Sequence, residues 1–242
     1  MTRFLLRLFA ATFIASASVS AAVAQENAPR AEPRQVVIEL FTSQGCSSCP
    51  PADALLRELV NRDDVVALAL HVDYWDYIGW EDTFADPAFT ARQKAYAKAQ
   101  GQRMVYTPQI IVGGVNQVIG TKEMKVADLI AQHRAMPTDV VLGVTRQSGV
   151  LTIAAQATEN LAGPLDVHVV RYRDAETVEV SKGENAGRKL DYSNIVTDWR
   201  VAGQWDTDAP LSMTVPVEGD QPVVVILQHA GHGAIEAVAE IK

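Results

Sequence analysis

The segment that most constrains the fold lies near the N-terminus, where a strand, a helix and a second strand follow one another. Residues 36–41 form an apolar run of β-branched character, which is typical of a strand buried on both faces of a sheet. Residues 52–60 place their leucines on one helical face, and a second apolar run spans residues 65–72. A strand, helix and strand of these lengths predict a βαβ unit with two parallel neighbouring strands.

The two cysteines of the chain, Cys46 and Cys49, lie between the first strand and the helix. A bond that closes so short a loop removes little entropy from the unfolded chain, so stabilisation of the fold alone does not account for the pair. A thiol attacks as its thiolate, and free cysteine has a pKa of about 8.5. Because the N-terminus of a helix favours an anion, we expect Cys46 to be the nucleophile, open to an incoming disulfide, and Cys49 to be the resolving thiol.

Two structural interpretations of the cysteine pair stay open, a permanent short disulfide and half of a metal site. Zinc would need two further ligands, and the sequence contains no second cysteine pair. His71 is the residue that would complete a soft copper site with Cys46 and Cys49. A lone histidine near a strand is more often an ordinary packed side chain.

The rest of the N-terminal half continues with alternating elements. In chain order the sequence predicts an aromatic segment at 74–80, a helix from Asp86-Pro87 to about Gln100, a strand from Thr107 to a Gly-Gly turn at 113–114, a strand at 115–119 and a helix at 122–135. We interpret residues 74–103 as a helical insertion.

The pattern changes after Met136, where strand-like alternation replaces helical periodicity. The expected strands are 140–145, 150–155, 165–172, 211–217, 223–228 and 235–241. This pattern predicts an all-β domain at 139–242, most simply a sandwich. Within it, the polar loop at 183–189 is either an interaction surface or a long solvated connection.

The stretch VIELFTSQGCSSCPPADALL, followed at a distance by TPQIIVGG, resembles the thioredoxin superfamily. Over the mature chain, including GENAGR at 183–188, the sequence is also similar to an exported bacterial thioredoxin-like family of unknown function. The expected fold class is therefore an α/β thioredoxin-like N-terminal domain at 36–136, followed by an all-β sandwich-like C-terminal domain.

The resemblance also implies roles for three further residues. Pro108 would be the cis proline that faces the cysteines, and the backbone of Thr107 would pair with an extended substrate segment. The alternative is a proline that merely starts an edge strand. Glu39 resembles the buried acid that moves protons in such proteins. Its spacing to Cys46 is one residue longer than the usual pattern, so two alternatives stay open: a Glu39 turned away from the thiols, and a solvated or N-cap-bound carboxylate.

The N-terminus has the features of a secretory signal peptide at residues 1–24, namely a basic start, an apolar middle and small residues before a cleavage point near Ala24. Residues 25–35 form a polar lead-in. We therefore expect a periplasmic or secreted protein without a stable membrane anchor. The formal net charge of −8 becomes about −10 after loss of Arg3 and Arg7, which argues against nucleic acid as a partner.

The sequence as a whole predicts an exported enzyme, a thiol–disulfide oxidoreductase that acts on protein thiols or disulfides without a cofactor. The linker Ser47-Ser48 matches neither the Gly-Pro of common reductants nor the Pro-His of the periplasmic oxidant, so the direction of electron flow and the redox partner stay open. Two other functions stay open as well. One is a copper or other metal carrier that uses the same cysteines, and the other is a redox-inert binding module.

Overall fold

The computed structural model, which describes residues 34–242, contains the βαβ unit predicted near the N-terminus. Strands β1 (Val36–Thr42) and β2 (Val65–His71) are parallel neighbours, and helix α1 (Pro50–Leu59) connects them. Every residue of both strands is buried, as their continuous apolar sequences predict.

The other elements follow β2 in chain order. They are α2 (Pro87–Ala99), β3 (Gln109–Val112), β4 (Asn116–Ile119), α3 (Glu123–Arg134), β5 (Val140–Gln147), β6 (Val150–Ala157), β7 (Leu165–Glu179), β8 (Lys189–Trp205), β9 (Leu211–Pro216), β10 (Val223–His229) and β11 (Ile235–Ile241). Helix α2 begins where the predicted cap, Asp86, accepts a hydrogen bond from the N–H of Ala88.

The strands form two sheets, and their arrangement shows that the predicted fold class is wrong. Eight strands form one mixed sheet in the order β11-β10-β7-β8-β2-β1-β3-β4, and β5, β6 and β9 form a second sheet. The protein is therefore mainly β, and it is not an α/β thioredoxin-like domain followed by a β sandwich. The large sheet is continuous because β8 pairs with β7 and also meets β2 in parallel, where Ile195 lies opposite Ala69.

Strand β8 was missing from the prediction because its sequence does not alternate cleanly. Asn194 has a positive φ of 46° and is buried, and its side chain donates a hydrogen bond to the carbonyl of Ala67 in β2. The β7–β8 ladder also contains two register shifts, which break the alternation of side chains. A long-range contact therefore stabilises a strand that its local sequence does not indicate. The domain limits expected from the sequence, 36–136 and 139–242, stay predictions.

The two faces of β1 belong to different cores. Ile38 and Leu40 pack with α1 and α3, whereas Val37 and Phe41 pack with α2 and with strands from the C-terminal half. Within residues 34–242, no helix is long and apolar enough to cross a membrane. The predicted signal peptide and residues 25–33 of the lead-in lie outside the described residues.

Candidate functional site

The two cysteines lie in the turn that joins β1 to α1, and they form a disulfide with their Cα atoms 5.4 Å apart. Cys49 is the N-cap of α1, and its carbonyl accepts the N–H groups of Ala52 and Asp53. Cys46 lies before the helix. The pair is thus held at the start of α1, as the sequence predicts.

The N-terminus of α1 offers fewer donors than expected for an anion. Its first two residues, Pro50 and Pro51, have no N–H group, and the next two N–H groups are already bonded to Cys49. The nearest donor to sulfur is a side chain, because the Ser48 hydroxyl oxygen lies 3.4 Å from Cys46 Sγ. Since a sulfur in a disulfide carries no hydrogen, the serine hydroxyl is the donor.

Both cysteines are fully buried, which contradicts the expectation that Cys46 is open to solvent. The loop between β7 and β8 covers the turn, and Asn185 in that loop donates hydrogen bonds to the carbonyls of Gln44 and Cys46. On another side, Gly45 lies directly against Trp75. Parts of the chain distant in sequence therefore cover the disulfide.

The Thr107–Pro108 peptide bond is cis, and the structure brings this segment close to the cysteine turn. Gly120 lies between the two, since a Cβ added there would be 2.9 Å from Cβ of Ala52 in α1 and 3.0 Å from Cβ of Pro108. Trp75 also contacts this segment, because its indole N–H donates to the Thr107 hydroxyl oxygen at 2.8 Å. Four of the predicted site residues are thus grouped together.

Glu39 lies outside this group. Its side chain is on the face of β1 that packs against α2, whereas α1 covers the opposite face. Both oxygens of Glu39 accept hydrogen bonds from Arg92, at 2.6 Å and 3.1 Å, and one of them also accepts the Tyr96 hydroxyl at 2.5 Å. Because side chains alternate between the two faces of a strand, the one-residue difference in spacing places Glu39 on the face away from the thiols.

Asp53 is an acid of the site that the sequence analysis missed. It is 5% exposed, and its Oδ1 accepts the Thr42 hydroxyl at 2.7 Å while its Oδ2 has no hydrogen-bond partner among the described residues. Burial raises the pKa of Asp53 to about 7, against the opposing effect of the Thr42 hydrogen bond. The sequence feature that points to Asp53 is its position four residues after Cys49, which places it on the same side of the helix.

His71 is bound to an acid rather than to the cysteines. Its Nδ1 lies 2.8 Å from Asp82 Oδ2, and that oxygen also accepts the backbone N–H of Gln44. Burial alone would raise the pKa of Asp82. Its contacts with His71 and with backbone N–H groups lower the pKa by more than burial raises it, so the net shift is downward. In residues 34–242, no three His, Cys, Asp or Glu side chains are placed to hold a metal ion.

Two cavities flank the site. A polar cavity of 180 Å³ beside α1 is lined in part by Asp53, Arg57 and Arg188, so the buried acid lies next to solvent. A wider groove of 690 Å³ begins at Tyr106, next to Thr107, and continues to Met124 at the start of α3. Neither lining includes a cysteine, which agrees with the burial of both sulfurs.

Comparison with known proteins gives a family and two similar structures. The sequence model of a family described as "Protein of unknown function (DUF1223)" matches residues 37–228. The chain is similar to a crystal structure of a protein from Agrobacterium tumefaciens, with 33% sequence identity, a TM-score of 0.74, and coverage of 87% of this chain and 95% of that one. It is also similar to HBP35 of Porphyromonas gingivalis, with 14% identity, a TM-score of 0.56, and coverage of 86% and 75%, a likeness of fold alone. No curated protein matches the sequence.

Proposed function

The chain belongs to the DUF1223 family of proteins of unknown function, and from that premise we propose that it is a thiol–disulfide oxidoreductase with Cys46 and Cys49 as its reactive pair. The observation that carries the proposal is the Cys46–Cys49 disulfide at the start of α1, with a buried acid one helical turn beyond it. The resemblance of the C-x-x-C turn and of Thr107-Pro108 to thioredoxin-superfamily sites supports the same chemistry.

The reaction begins from the reduced form of the pair. The Cys46 thiolate attacks a substrate disulfide, so that a mixed disulfide forms and one substrate sulfur leaves as a thiolate. Cys49 then attacks the Cys46 sulfur, the internal disulfide forms, and the second substrate sulfur leaves. Two electrons pass from the dithiol to the substrate, and the reverse sequence oxidises a substrate dithiol.

Asp53 is the group proposed to take the proton from Cys49 in the second step. It replaces Glu39, which is held by Arg92 on the far face of the sheet. With a pKa of about 7, the Asp53 carboxyl exchanges protons readily near neutral pH, and the adjacent polar cavity connects it to water. We propose Thr107 as the residue that orients the substrate chain over the cysteine turn.

The setting of the reaction is part of the proposal. A signal peptide at residues 1–24 would deliver the protein to the periplasm or the exterior, where protein thiols and disulfides are its substrates. The direction of electron flow depends on the reduction potential of the pair relative to its redox partner.

Trapping experiments test the proposal. With Cys49→Ser, we expect a stable mixed disulfide between Cys46 and a peptide disulfide, because the resolving thiol is absent. With Cys46→Ser, we expect neither turnover nor trapping. Mass spectrometry of the alkylated, non-reduced protein measures both outcomes.

The control is Ser47→Ala, which changes an exposed residue between the cysteines and should leave turnover within about twofold of the wild type. If the reduced wild-type protein exchanges with no disulfide, and Cys49→Ser forms no adduct, then the pair is a permanent structural bond and the proposal is wrong.

A further inference from the structure

We infer that residues 181–188, the loop that joins β7 to β8, form a gate over the Cys46–Cys49 disulfide, and that Asn185 is the latch of this gate. These residues, called the tip loop here, lie at the end of the two-stranded ribbon that β7 and β8 form. The gate rests on the function proposed above, since it controls access to the same disulfide.

Asn185 differs from the rest of the tip loop in its burial. It is 1% exposed, whereas all other residues of the loop are exposed. Its amide nitrogen donates to the carbonyl of Gln44 at 2.9 Å and to that of Cys46 at 3.0 Å, and its oxygen accepts a hydrogen bond from Arg188 at 2.8 Å. A single side chain therefore joins the loop to the cysteine turn through two hydrogen bonds.

The disulfide lies directly beneath the surface. Cys46 and Cys49 are 0% exposed, but Ser47 and Ser48 between them are exposed. A substrate sulfur must approach along the line of the S–S bond, so the present cover blocks the reaction. Because the sulfurs are shallow, displacement of a small group is enough to uncover them.

The tip loop is built to move as one piece. Two backbone hydrogen bonds at its base, from Gly187 N–H to the Val180 carbonyl and from Val180 N–H to the Arg188 carbonyl, continue the β7–β8 pairing and hold the two ends of the loop together. The ribbon below is anchored by a small apolar cluster that includes Leu190 and Tyr192. Opening the gate breaks the two latch hydrogen bonds and separates Gly183 from the adjacent Trp80 and Ile78, while Leu190 and Tyr192 stay in place.

The test measures the rate at which dithiothreitol reduces the Cys46–Cys49 disulfide, followed by alkylation and mass spectrometry. We expect Asn185→Ala to be reduced about tenfold faster than the wild type, because two hydrogen bonds that hold the gate shut are lost. Asn185→Asp, which keeps the shape but cannot donate to two carbonyls, should show the same increase. Glu184→Gln, an exposed change in the same loop, is the control and should match the wild type.

Equal rates for the wild type and both Asn185 variants would overturn the gate. If Asn185→Asp does not fold, the reduction rate of Asn185→Ala alone tests the gate. A thermal unfolding midpoint for Asn185→Ala close to that of the wild type would show that faster reduction comes from local opening and not from general destabilisation. The readout needs no protein substrate. Failure of the proposed function would appear separately, as the absence of a trapped mixed disulfide in Cys49→Ser, both alone and combined with Asn185→Ala.

Discussion

Replacing Arg92 with methionine is expected to lower the free energy of unfolding by about 3–5 kcal/mol. Arg92 is the ion-pair partner of Glu39, and the side chains of both residues are almost fully buried. Its guanidinium also stacks 3.8 Å from the ring centre of Trp199. The substitution retains much of the apolar packing but leaves a buried carboxylate without its counter-charge, which is the costly outcome. Urea unfolding followed by circular dichroism measures the change.

The matched control is the double variant Glu39→Gln with Arg92→Met. It removes both charges, so most of the lost stability should return. Glu39→Gln alone should leave the rate of disulfide exchange per folded molecule within about twofold of the wild type, because Glu39 faces away from the cysteines. A cost below about 1 kcal/mol for Arg92→Met would show that this ion pair does not stabilise the fold.

Asp53→Asn is expected to stabilise the protein at pH 8 by about 3–4 kcal/mol relative to the wild type, and by little at pH 3.5. The pKa of Asp53 rises on folding from 3.8 to about 7, chiefly because the carboxyl is buried. Between these values the folded state holds a proton that the unfolded state releases, so stability falls as the pH rises and levels off above about 7. Asparagine carries no charge and removes this dependence.

Urea unfolding at a series of pH values measures the effect as the difference between the wild type and Asp53→Asn. Three neighbouring groups act on the charge of Asp53, namely His71, Asp82 and Arg57. All three remain in both proteins, so their own contributions to stability largely cancel in the difference. Asp191→Asn, which changes an exposed acid that lines the same cavity, should show no such pH dependence. A difference that is constant with pH would mean that burial does not raise the pKa of Asp53.

The parts of the site that the sequence predicts are those that depend on local chain geometry. The first strand, the helix and the second strand follow from periodicity over short segments, and the cysteine turn lies between them. The helix also brings Asp53 to the cysteines through a spacing of four residues, so this acid was accessible to the same reasoning. Glu39 is the more conspicuous acid in the sequence, because it interrupts an apolar strand, whereas Asp53 lies in an ordinary helical turn.

The fold class and the burial of the sulfurs depend on contacts that no local pattern contains. Strand β8 has polar residues such as Asn194 in its interior. It is a sheet strand because it pairs along its length with β7, and the Asn194 side chain adds a hydrogen bond to a carbonyl of β2. The cover of the disulfide comes from Asn185, which is separated from Cys46 by 139 positions in the chain. Pro50 and Pro51 reduce the free donors at the start of α1 directly, whereas the bonding of the next two N–H groups to the Cys49 carbonyl depends on the folded turn.

The distance in sequence between the cysteine turn and its latch also sets an order of synthesis. Cys46 and Cys49 are made well before residues 181–188, so a growing chain contains both thiols before it contains Asn185. Oxidation of the pair therefore has an interval in which nothing shields the sulfurs. A fragment that ends before the tip loop lacks both Asn185 and β8, the sheet neighbour of β2, and its two thiols are therefore expected to react with small oxidants without the protection they have in the whole chain.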